Sequence, residues 1–209
     1  MTSAFIKTAG ALAAVGVGAA AYRWQLRAGA KPSEIAATLP GDDLVPDARV
    51  VTTRALTIEA PPDLVWPWLA QIGQNKAGFY TYEKLENLVG CDIRNADRIV
   101  AEWQDPQVGD LVTLAPDVAL RVAAVDPGGA LVLGTPEGPP PRPSMQFDFS
   151  WAFIVRPGAT PGTSRFIARE RYRPRNAAMS AMVAMVTPIS ALMTHGMAHG
   201  IRERVLAGS

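Results

Sequence analysis

The sequence predicts an α+β domain in which a curved antiparallel sheet wraps a long C-terminal helix, preceded by an apolar anchor helix. Three observations predict it. From Val108 onward, short alternating segments bounded by Gly, Pro or Asp follow one another, the mark of successive β-strands. After them, Asn176 to Leu206 carries apolar residues at helical spacing (Met179, Met182, Val183, Val186, Ile189, Met193, Met197, Ile201, Val205). At the other end, residues 8 to 22 contain no charged side chain and are almost all Ala, Gly, Val and Leu.

That first segment, with Ala4 to Ile6 and Tyr22 to Trp24 as interfacial ends, reaches the roughly 20 residues a membrane span needs. Tyr22 and Trp24 suit the headgroup level, and Gly10, Ala14 and Gly18 form a small-residue stripe. Arg23, Arg27 and Lys31 follow the segment, against Lys7 before it, so the positive-inside rule turns the C-terminal domain toward the cytoplasm. A cleaved signal peptide ending near GAAAY and a merely apolar soluble helix are the rival readings. The expected organisation is an anchor over 1–27, a proline-containing linker over 28–53 that becomes ordered near the domain, and a single domain over 54–209.

Within the domain, RALTIEA alternates as a strand. APPD breaks it, and Val65, Trp68, Leu69 and Ile72 mark a short helix begun by Pro62. Pro67 predicts a kink or a break, and Gly73 ends the helix. A second short helix is expected over Tyr82 to Val89, closed by Gly90. VGDLVTLAP, VALRVAAVD, GGALVLGTP, QFDFSWAFIV and TSRFIARERY are the strands. In the fourth of these Phe147, Phe149, Trp151, Phe153 and Val155 share a face, which reads as an aromatic interior. In the last, Phe166, Ala168, Glu170 and Tyr172 face inward, and Arg165, Ile167, Arg169 and Arg171 face out. Pro188 predicts a kink in the terminal helix. Residues 176 to 201 have no Asp, Glu, Lys or Arg, which fits a second span; the many Ser, Thr and His residues there favour a helix lying on the sheet.

This order is the helix-grip plan, with a cavity between sheet and terminal helix. The chain resembles the SRPBCC superfamily of START-like and polyketide cyclase/dehydrase-like proteins, in a bacterial membrane-anchored subgroup. The resemblance covers residues 54 to 206 and lies in TIEAPPDLVWPWLAQIGQ, GFYTYEKLENLVGCDIRNADRIVAEWQDPQVGD, FSWAF and RERY. It implies a hydrophobic ligand, such as a lipid, an isoprenoid or a polyketide-like molecule. It does not choose between a carrier, a cyclase/dehydrase-type enzyme and a non-catalytic scaffold.

The resemblance places the stretch from Lys76 to Asp105 at one mouth of the cavity. Tyr80, Tyr82 and Trp103 are candidate ligand contacts there, and Glu86 and Asp97 candidate polar groups. The bland alternative is helix capping and surface pairing with Arg94 and Arg98. Phe149, Trp151, Phe153 and Tyr172 from the strands, with Met182, Val186 and Met193 from the helix, complete the expected lining. Glu170 is the sharper catalytic candidate, with a group among Tyr82, Glu86 and Asp97 as the runner-up: an unpaired carboxylate on an aromatic face has a raised pKa and can move protons. An ion pair with a neighbouring Arg is the alternative. His195 and His199 stand one helical turn apart, but two histidines are short of a closed zinc site, so no metal is expected. Phosphate-binding, dinucleotide and nucleophile-elbow motifs are missing from the sequence, and no cofactor is expected. A net charge of +1 gives no footprint for nucleic acid. The single Cys91 forms no internal disulfide.

Overall fold

The computed structural model describes residues 18–88, 90, 92–115, 118–135 and 147–208. Most of the expected anchor, residues 1–17, lies outside them. Residues 18–25 form the helix α1, and α2 follows at Pro32–Ala36. Strand β1 runs over Val50–Ile58, so it begins before the expected Arg54. The helix α3 (Pro62–Ala70) starts on Pro62 and runs through Pro67 without a break. Pro67 forfeits a single intrahelical bond, and its own carbonyl is still used, by Gln104 Nε2 at 3.2 Å. The helix α4 (Glu83–Leu88) is followed by Gly90 in the left-handed region (φ 84°), the conformation that a Gly at this place supplies without a Cβ clash.

The strands β2 (Leu111–Ala115), β3 (Val118–Asp126), β4 (Ala130–Gly134), β5 (Phe147–Pro157) and β6 (Ser164–Pro174) join β1 in an antiparallel sheet ordered β1-β6-β5-β4-β3-β2. Helix α5 (Ala177–Ala207) closes the chain. Its N-cap Asn176 accepts the Met179 N–H at 2.8 Å, which satisfies one of the orphan donors of the first turn. The helix continues through Pro188.

Period-two alternation sorts β5 and β6 into two faces, and both are buried. On the inner face Trp151, Phe153, Val155, Phe166 and Ala168 pack with Val65, Trp68, Leu69 and Ile72 around α3, and with Met197, Ala198, Ile201 and Val205 of α5. Fully burying such side chains stabilises by about 1.5–3 kcal/mol each, so this cluster is the main core. On the outer face Ala130, Val132, Ala152, Ile154 and Ile167 form a second cluster with Leu39. The residues expected as a linker cover that face as a strap. Their carbonyls find partners in the outer arginines of β6. Arg169 donates to the carbonyls of Glu34, Ile35 and Ala37 and to Asp42 (2.6–3.1 Å). Arg165 forks onto Glu34 at 2.7 and 2.8 Å, and Arg171 reaches the Val45 and Pro46 carbonyls. Arg169 lies on the outer face as expected and is buried there by the strap.

Candidate binding site under the first half of α5

Antiparallel register brings Thr52 of β1, Glu170 of β6 and Trp151 of β5 into one row on the inner face. Arg54, Ala168 and Phe153 form the next row. Glu170 and Arg54 are both almost fully buried and make an ion pair at 2.9 Å. The Glu170 carboxylate also accepts from Thr52 Oγ1 at 2.9 Å and from Ser190 Oγ of α5. Tyr172, the next inward residue of β6, hydrogen-bonds with Glu170 and Ser190. Burial, and then the carboxylate beside it, push its phenol well above its ordinary pKa, so it stays a neutral hydroxyl at physiological pH.

All the N–H groups of Arg54 are used. Nε donates to the Gln25 carbonyl (3.0 Å), Nη1 to Glu170 and Ser190, and Nη2 to Gln25 Oε1 and the Thr187 carbonyl (both 3.1 Å). Thr187 Oγ1 in turn donates to the Tyr22 hydroxyl at 3.1 Å. The charged node therefore joins α1, the sheet and α5. The condition for the catalytic reading of Glu170, an unpaired carboxylate, is not met: Arg54, Thr52 and Ser190 occupy its oxygens. Glu170 is half of a buried ion pair.

Beside the Arg54–Glu170 pair stand buried groups without partners. Among the described residues, Trp151 Nε1 and Thr194 Oγ1 are buried and make no hydrogen bond; the same holds for Gln25 Nε2, whose Oε1 accepts from Arg54, and for Asp42 Oδ1 under the strap. Trp151 sits next to Glu170 in the sheet, and Thr194 is one helical turn beyond Ser190 on the same face of α5. The Trp151 ring is held by Phe153 (centroids 4.6 Å apart) and Phe79 (6.4 Å), so the indole N–H has a fixed direction. An unpaired buried donor costs about 1–3 kcal/mol, and two of them flanking one node point to a group that would accept from them.

The other expected lining residues divide. Phe149 is half-buried and tilted on Tyr172, with centroids 4.7 Å apart, at the edge of the node. Phe153 is fully buried in the main core and has no free face. Tyr80 is also core: its hydroxyl donates to the Trp68 carbonyl and accepts from Gln71, and Arg204 lies over its ring at 5.0 Å. Burial raises its phenol pKa in the same way as that of Tyr172. Trp103 packs half-buried against the core. Tyr82 is partly exposed with its ring against Gly196, and Asp97 is exposed. The Glu86 side chain lies outside the described residues. The segment holding these residues is a cover tied to itself. Asn95 Oδ1 accepts the Phe79 and Tyr80 N–H groups, and the Asn87 amide brackets Ile93 at 2.6 and 2.8 Å.

On α5 the expectation is corrected. The inward stripe of its first half is Val183, Thr187, Ser190 and Thr194; Val186 faces out, and Met182 and Met193 are only half-buried. Helical spacing singles out the more apolar stripe, whereas the real inner stripe is polar because it answers Arg54 and Glu170. Thr52 and Arg54 were also missed as site residues. Their signal was an arginine on the same strand face as Leu56 and Ile58. The His195 and His199 rings are tilted on each other with centroids 4.3 Å apart, and desolvation with the neighbouring His195 lowers the pKa of His199. No group of three or more metal-ligating side chains occurs among the described residues. A cleft of about 240 Å³ lined by Lys31, Glu34, Thr57, Arg156 and Arg165 lies on the outer face, away from this site.

A scan against protein-family models and a search of curated proteins both give no match. Solved structures similar to the chain include a point mutant of norcoclaurine synthase from Thalictrum flavum, at 18% identity over 76% of this chain and 94% of that one, with a TM-score of 0.44. A protein from Thermobifida fusca matches at 14% identity over 74% and 92%, with a TM-score of 0.46. A member of the major latex protein family from Arabidopsis thaliana matches at 16% identity over 75% and 94%, with a TM-score of 0.39. In its own topology, a six-stranded antiparallel sheet packed on a long C-terminal helix, the chain has the helix-grip fold.

Proposed function

We propose that the protein is a membrane-anchored binding or carrier domain for a hydrophobic small molecule, held between the sheet and the first half of α5. The observation that carries this is the pair of buried groups, Trp151 Nε1 and Thr194 Oγ1, without partners beside the buried Arg54–Glu170 pair. The indole N–H only donates, so the ligand must present an acceptor oxygen to it, such as a carbonyl, hydroxyl or ether. Phe149, Phe79 and the Trp151 ring supply apolar contact around that point. A lipid, an isoprenoid or a polyketide-like molecule combines these properties. Residues 1–27 would anchor the domain in a single pass, with the domain on the cytoplasmic side as the charge asymmetry directs. The anchor would keep the site near an apolar ligand's source.

The test is native mass spectrometry of the full chain in mild detergent, with organic extraction. The expected result is one defined apolar molecule per chain, with occupancy reduced several-fold in Trp151→Phe and Thr194→Val. An empty chain that also ignores a panel of lipids and polyketides overturns the reading and leaves a filled scaffold.

A further inference from the structure

The first half of α5 is built inside out. Its inward stripe carries, after Val183, the hydroxyls of the buried Thr187 and Thr194 and the half-buried Ser190. Its exposed side carries Met185 (72% exposed), Ile189 (63%), Leu192 (45%) and Val186 (39%), with Ala181 and Ala184 between them. A helix lying on a soluble core shows water the opposite pattern. The surface is contiguous along the helix, and an exposed apolar patch of this kind marks an interaction site. No charged side chain interrupts residues 176 to 201.

We infer that this face of α5 docks in the bilayer interface, so that the helix lies in the membrane surface directly above the binding site. The inference rests on the membrane-anchored reading above and adds a second membrane contact to it. The chain itself argues for this occupant. α1, into which the apolar segment of residues 8 to 22 leads, is hydrogen-bonded to the same half of α5 through Tyr22 and Thr187. Trp24 beside that contact is 72% exposed, with exposed Arg23 and Arg27 flanking it. Arg173 and Arg175, just ahead of α5, are also exposed and share Asp148 as a partner, a net positive cluster. An aromatic and several cations bordering an apolar strip match the headgroup level and anionic lipid. With the apolar side immersed and the hydroxyl stripe turned to the sheet, each face of α5 meets the medium its chemistry suits. An apolar ligand would then pass from bilayer to site without crossing water.

The test uses the full chain carrying Cys91→Ser and reconstituted into vesicles of equal parts phosphatidylcholine and phosphatidylglycerol. A spin label is placed by Ile189→Cys or Met185→Cys on the apolar face, and by Glu203→Cys as an exposed control on the same helix. Accessibility to oxygen relative to a water-soluble nickel chelate is then measured. The expected ratio is several-fold higher at 189 and 185 than at 203. Both sites are exposed, so each variant supports the other if one folds poorly. Equal, water-like ratios at all three positions overturn the inference. If the protein still floats with the vesicles, the anchor reading survives; if it does not, that reading fails too. Labels shielded from both reagents would mean that the face is covered by residues 1–17 or, with dipolar broadening between chains, by a second copy. Either result also overturns it.

Discussion

Glu170 and Arg54 are the residues on which the inner face depends most. The pair is buried and fully hydrogen-bonded, so breaking it strands a charge, whereas replacing it whole does not. Glu170→Gln is expected to cost about 3–5 kcal/mol in urea unfolding, and the double variant Arg54→Met/Glu170→Leu markedly less than the sum of its singles. A cost below about 1 kcal/mol for Glu170→Gln would mean that the node is solvated and the description of it is wrong. Thr194 behaves oppositely. Its hydroxyl is buried without a partner, so Thr194→Val should stabilise the ligand-free chain by about 1 kcal/mol while weakening ligand retention. A structural hydroxyl with a hidden partner would instead lose stability on the same change.

At the level of elements, α5 and the strap are fixed by close approaches. Gly200 lets α5 lie against the 77–80 segment: a Cβ there would stand 2.0 Å from the Tyr80 carbonyl oxygen. Gly200→Ala is therefore expected to destabilise by about 1–3 kcal/mol through overpacking, read as a lowered Tm. The strap is held by Glu34 on Arg165, and that hydrogen-bonded pairing keeps the Glu34 carboxyl below its ordinary pKa. A depressed folded-state pKa gives stability that is present above the unfolded value and lost as pH falls through the folded one. Amide protection across residues 33–42 should thus fall as the pH drops below about 4.3. In Glu34→Gln it should be weaker at neutral pH and flat across that window. Hydrogen exchange followed by mass spectrometry reads both.

For the molecule as a whole, the charged node matters because it connects parts distant in sequence. Gln25 and Tyr22 of α1 reach Arg54 and Thr187, so the segment next to the proposed anchor shares its hydrogen bonds with the site. With residues 1–27 spanning once and the domain in the cytoplasm, a label at Glu203→Cys in the Cys91→Ser background should react with an impermeant maleimide only from the cytoplasmic side. Reaction from the opposite side would reverse the proposed orientation. Ligand retention in vesicles and in detergent can then be compared in one defined topology.

Much of this was legible in the sequence because it depends on period. Alternation in QFDFSWAFIV and SRFIARERY assigns Phe149, Trp151, Phe153, Glu170 and Tyr172 to one face, since a strand turns successive side chains to opposite sides whatever it pairs with. The terminal helix, Pro62 at a helix start and Gly90 after another are likewise local facts, written in spacing and backbone preference. The strap was not legible: residues 28–49 have no period, and their order comes from Arg165, Arg169 and Arg171, more than a hundred residues away in the chain. The inner stripe of α5 was misread for the same reason. Hydropathy ranks Met182, Val186 and Met193 above Thr187, Ser190 and Thr194, and only the buried charge pair across the interface makes the hydroxyls the inward choice. From β1 onward, the sequence by itself therefore determined the elements, their order and the faces of the strands. Which residues meet at the site was decided by the tertiary structure, because long-range polar pairing overrides the local preference of each helix face.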